Sequence, residues 1–175
     1  MAILFPYMNT VLNFTEVWRR VFSMKTLGGG YRRYFLFLCD TGLMFLETDH
    51  VRHLPPWKIG STGDILTNMV NVWVEELKNA LKKDDVAELS LAGRSLEEAV
   101  AILEENKRML GVKKFGQAKL LKPTNVGEIE LSGNGVLKIV ARDGGKQTYE
   151  IPPDQTAKVD MFLRQIFPHQ YRASK

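Results

Sequence analysis

Over the first sixty residues, apolar and polar positions follow short runs and alternations more than helical spacing. In "FTEVWRRVFSMK", Phe14, Glu16, Trp18, Arg20 and Phe22 alternate against Thr15, Val17, Arg19 and Val21. Period-two alternation predicts a strand, with an amphipathic helix from Thr15 open as the other reading. In "TLGGGYRR" the glycines Gly28, Gly29 and Gly30 permit a turn. Two apolar runs follow, Tyr34–Cys39 and Leu43–Thr48, and Asp40-Thr41-Gly42 between them predicts a hairpin with a bulge.

The period changes in the middle of the chain. "STGDILTNMVNVWVEELKNALKKDD" places Ile65, Met69, Trp73, Leu77 and Leu81 at four-residue spacing, which is a helical stripe. A second helix is predicted from Ser95, where "SLEE" puts Glu98 in capping-box position, with Leu96, Ala99, Val100, Leu103 and Leu110 on its stripe and Gly111 as its stop. Two antiparallel helices therefore fill residues 62–110. The last third returns to strands. "GEIELSGNGVLKIVARDGGKQTYEI" is cut by Asn134-Gly135 and Asp143-Gly144-Gly145, which tolerate positive φ and predict a meander. Its inner face would carry Ile129, Leu131, Leu137, Ile139, Tyr149 and Ile151. A terminal helix with Val159, Phe162, Leu163, Ile166 and Phe167 on one side ends at Pro168.

In "YRRYFLFLCDTGLMFLE" and "VGEIELSGNGVLKIVARDGGKQTYEIPPDQTAKVDMFLRQIFP" the chain resembles pleckstrin-homology-like domains, especially their simple prokaryotic versions. The first stretch looks like that family's second and third strands, the second like its last three strands and C-terminal helix. The expectation is an α+β fold in one domain, 1–175: an antiparallel, pleckstrin-homology-like β-barrel or sheet (14–60 and 113–168) with a two-helix insertion (62–110) and a C-terminal capping helix. The insertion departs from the family. Lipid-binding members carry a Lys…Arg-x-Arg pattern, and the resemblance makes Lys25, Arg32 and Arg33 a candidate anion or lipid-headgroup site. Here the two arginines are adjacent, so on a strand they point to opposite faces.

One feature limits function. In the hairpin, Tyr34, Leu36 and Leu38 face one way and Phe35, Phe37 and Cys39 the other, and both sets are apolar. Leaving such side chains in water forgoes roughly 1.5–3 kcal/mol each. Either the helical pair or a partner must cover the second face. The expected function is thus a non-enzymatic interaction module that binds a protein partner or itself, with Phe35, Phe37, Met44, Leu46 and Trp73 as the candidate surface. Peripheral contact with an anionic membrane surface is the alternative.

Composition adds little that is specific. A single cysteine, Cys39, excludes an intrachain disulfide framework and fits a reducing, cytoplasmic setting. No apolar run reaches the length of about 18 residues that a spanning helix needs. Net charge is −4 over 61–112, against +3 before it and +5 after it. Lys107, Arg108, Lys113, Lys114, Lys119 and Lys122 form a basic cluster, but the acidic helices beside it argue against nucleic acid. Asp40-Thr41-Gly42 resembles the loop of aspartic proteases; only one such triplet is present, so Asp40 would act only in a dimer. His50 and His53 lack a third ligand for a metal, and no cofactor motif is legible.

Overall fold

A computed structural model describes residues 9–23, 28–58 and 89–174. Strands β1 (Val11–Ser23), β2 (Gly28–Cys39) and β3 (Gly42–Arg52) come first, then a 3-10 turn at Pro56–Lys58. Helix α1 (Leu96–Glu105) precedes β4 (Phe115–Leu121), β5 (Val126–Ser132), β6 (Val136–Ala141) and β7 (Lys146–Glu150). Helix α2 (Thr156–Ile166) and strand β8 (Tyr171–Ser174) complete the described chain. The strands form one eight-stranded sheet in the order β4-β3-β2-β1-β7-β6-β5-β8. The architecture is α+β, and the sheet is mixed because β8 runs parallel to β5.

The order arises from two antiparallel meanders, β1 to β4 and β5 to β7, joined through a single pair, Trp18 with Glu150. Alternation wins in β1, which is a strand and not a helix. One face of each meander, together with α2, forms the main core: Tyr34, Leu36, Leu38, Leu43 and Phe45 join Ile129, Leu131, Leu137, Ile139, Tyr149 and Ile151 around Val159, Phe162, Leu163 and Phe167. The six inner-face residues expected of the second meander are all buried. Among the described strands the sheet does not close on itself: β4 and β8 are its margins. Of the expected barrel or sheet, the described strands make an open sheet, and the segment after α2 adds to it by pairing with β5.

The second face of the hairpin is covered by the chain itself. Phe35, Phe37, Cys39, Met44 and Leu46 cluster with Leu91, Leu96, Ala99, Leu103, Leu110 and Val112. Helix α1 starts as expected, with Ser95 accepting from the Glu98 amide and the Glu98 carboxylate accepting from the Ser95 amide. It ends at Glu105, earlier than the stripe suggested. Leu110 reaches the core from the turns that follow, and Gly111 takes a positive φ of 67°. The other helix of the expected pair, with Trp73, lies outside the described residues.

Two details of the turns differ from expectation. The β2–β3 connection has two residues, Asp40 and Thr41, because Cys39 pairs directly with Gly42. Gly42 is needed for close approach: a Cβ there would stand 2.2 Å from the Leu121 carbonyl oxygen. Gly28, Gly29 and Gly30 do not form a turn but belong to β2, opposite Ser23, Phe22 and Val21.

Candidate functional site

Among the described residues, the greatest concentration of buried polar chemistry lies on the outer face, where β1, β2 and β3 meet the turn after α1. Pairing between β2 and β3 shifts between Arg32 and Tyr34, which makes a bulge. The Thr48 hydroxyl pins it, donating to the Arg33 carbonyl at 2.8 Å and accepting from the His50 amide at 3.2 Å. The bulge brings Arg33, His50 and Arg52 together beside Trp18, the cross-strand partner of Arg33.

Arg33 is 7% exposed. Its Nη2 donates to the Leu110 carbonyl, its Nη1 lies 3.8 Å from a Glu16 carboxylate oxygen, and its guanidinium stands 5.0 Å from the Phe35 ring centroid. Burial lowers its pKa, and nearby Arg52 adds to that, while Glu16 opposes it. Arg52 donates through Nε to His50 Nε2 at 2.7 Å and lies 5.7 Å from the Trp18 ring centroid. His50 also hydrogen-bonds the Gly111 backbone, and burial, then the Arg33 and Arg52 charges, push its pKa down to about 4. It is therefore a neutral imidazole at physiological pH. An accepting Nε2 leaves Nδ1 to carry the proton.

These bonds give the cluster a structural role. Arg33, His50 and Asp49, which accepts from the Lys113 amide at 3.1 Å, hold residues 110–113 against the sheet. At the other end of α1, the Val11 amide donates to the Arg94 carbonyl at 2.9 Å and the Leu96 amide to the Asn9 carbonyl at 2.8 Å. The outer layer is thus pinned at both ends. The remaining hydrogen-bonding capacity is notable: Trp18 Nε1 and Arg33 Nε are buried and lack partners.

The sequence-predicted residues fall in different places. Phe35, Phe37, Met44 and Leu46 are fully buried under α1 and its flanks, so they do not form an open surface. Their second face is apolar because it is a second core. Of the headgroup set, Lys25 lies outside the described residues, Arg33 is buried in the cluster, and Arg32 is ion-paired with Glu47. The two arginines do point to opposite faces, each engaged by the fold's own groups. Asp40 sits in a turn, its carboxylate accepting from the Thr10 amide at 3.0 Å and its own amide donating to the Thr10 carbonyl. No group of three metal-ligating side chains occurs among the described residues.

A different surface emerges at the far end of β1 and β2. Their pairing continues to Ser23 and Gly28, whereas the pairing of β2 with β3 stops at Tyr31 and Arg52. Beyond that row the two strands run as a ribbon, and no described strand flanks them. Phe22 is 80% exposed there because its cross-strand partner, Gly29, has no side chain to cover it. Arg20 is exposed on the same face. From Val17 to Leu38 the sequence holds five basic residues and no acidic one. The signal was present in the sequence, but it becomes a surface only once Arg33 and Arg32 are seen to be engaged elsewhere. No helix among the described residues is long and apolar enough to cross a membrane. No protein family, curated protein or solved structure matches the chain.

Proposed function

We propose that this chain is a non-enzymatic interaction module with a pleckstrin-homology-like core, and that it contacts anionic lipid surfaces peripherally through the β1–β2 ribbon. The core reading is supported by two successive antiparallel meanders followed by a helix packed between their inner faces. The contact reading is carried by one observation: Phe22, 80% exposed, stands beside Arg20 in a stretch with no acidic residue. An aromatic ring entering the headgroup region gains part of the roughly 1.5–3 kcal/mol of full burial. Each cation held near an anionic surface adds about 1 kcal/mol. Arg20, Phe22 and Lys25 together then give weak, reversible binding, with a dissociation constant on the order of a millimolar.

Co-sedimentation with phosphatidylserine-containing and with neutral vesicles tests this. Anionic vesicles should retain the protein, with retention falling as salt rises and falling further in Phe22→Ser and Arg20→Ala. Arg32→Ala should bind like the wild type, because Glu47 already engages that guanidinium. Equal retention on neutral vesicles, or unchanged retention of Phe22→Ser, would refute the reading. A protein partner or a second copy on the hairpin's outer face would first have to displace α1, which is why the ribbon is preferred.

A further inference from the structure

We propose that the Trp18–Arg33 row on the outer face is a binding site for a small oxyanion, a carboxylate or phosphate group held between the Trp18 indole N–H and the Arg33 Nε–H. Both groups are buried, with Trp18 at 1% and Arg33 at 7% exposure, and both donors lack an acceptor. They belong to directly paired residues on adjacent strands, so the donors originate one cross-strand step apart. Buried polar groups are nearly always hydrogen-bonded, because an orphaned donor gives up its hydration with nothing in return. Because the two donors belong to cross-strand partners on one face, a single acceptor between the strands would serve both.

The chemistry selects an anion. Donors alone are left over, and one of them is on a guanidinium whose nearest carboxylate, Glu16, stands at 3.8 Å, beyond hydrogen-bonding distance. Arg52 adds a second buried cation, with its Nε engaged by His50. The other carboxylate of the row, Asp49, is turned to the Lys113 amide. His50 and Asp49 are only half-buried and mark the margin by which a small solute would enter. This site is separate from the ribbon, and neither proposal depends on the other.

The chain has three tryptophans, so Trp57→Phe/Trp73→Phe leaves the Trp18 indole as the one Nε1–H reporter in a nitrogen-15 spectrum. Acetate and inorganic phosphate are titrated separately against chloride at matched ionic strength, and thermal unfolding is followed alongside in the wild type. A saturable shift of the indole signal with acetate or phosphate but not chloride, with matching stabilisation, is expected; the responding anion names the group. Trp18→Phe keeps an aromatic ring and removes the donor, and it should weaken the anion-dependent stabilisation at least tenfold in concentration. An indole signal unmoved by either anion, or equal stabilisation by all three salts, would overturn the proposal and leave a buried water as the acceptor.

Discussion

Leu103→Ala probes the outer layer directly. Leu103 is 0% exposed and belongs to the cluster that α1 makes with Phe35, Phe37, Met44 and Leu46. Truncating it removes buried methyl groups and leaves a cavity between the helix and a rigid sheet. Leucine-to-alanine changes in well-packed cores cost roughly 2–5 kcal/mol. A helix of ten residues can settle partway into the space, so a loss of about 3 kcal/mol is expected. For a chain of this size, that lowers the melting temperature by roughly 6–12 °C. Urea and thermal unfolding followed by circular dichroism measure it. Glu104→Ala is the control, since its carboxylate is half-exposed and its ion pair with Lys107 contributes no more than about 1 kcal/mol. If Leu103→Ala costs no more than Glu104→Ala, the second face is not held by α1 and the account of the hairpin fails.

Three further outcomes follow from single positions. Gly42→Ala should destabilise by more than about 2 kcal/mol, because its Cβ would meet the Leu121 carbonyl oxygen at 2.2 Å; Gly29→Ala, with nothing within 4 Å, should change stability little. His50 has its pKa pushed down to about 4 in the fold, against about 6.5 when unfolded. The unfolded chain therefore binds the extra proton between these values, so stability is full above about pH 6.5 and falls as pH drops toward 4, by about 3 kcal/mol in total. His50→Gln should flatten that part of a stability–pH curve, and an unchanged slope would count against the buried neutral imidazole. Burial pushes the Cys39 thiol up to about 12, so a thiol reagent at pH 8 should label it only after denaturation, and rapid labelling of the folded chain would contradict its burial.

Much of the architecture was legible because local chemistry and tertiary context agree. The Asn134-Gly135 and Asp143-Gly144 turns, the Ser95 capping box and the stripe of α2 each specify their element with residues next to one another. The apolar second face of the hairpin was also legible, and it correctly demanded a cover. What covers it could be narrowed only to two options, since hydrophobicity is not directional and a core and an interface look alike in one sequence. The buried polar cluster was not legible. It depends on a bulge that changes which face Arg33 and His50 share, and on a loop that is distant in sequence but supplies the Leu110 and Gly111 backbone groups. Likewise, β8 lacks a hairpin signal because it joins the sheet in parallel. The basic stretch at 19–33 was visible, but the number of its charges that are engaged with the fold's own carboxylates and carbonyls was not.

Methyl-to-ring contacts across the hairpin's second face test the central claim most directly. In a sample mixing isotope-labelled and unlabelled chains, nuclear Overhauser effects between the methyls of Leu96 or Leu103 and the rings of Phe35 or Phe37 can be sorted into those within one chain and those between chains. The account predicts strong contacts that arise entirely within one chain. Contacts found only between chains, or their absence, would mean that the second face waits for a partner.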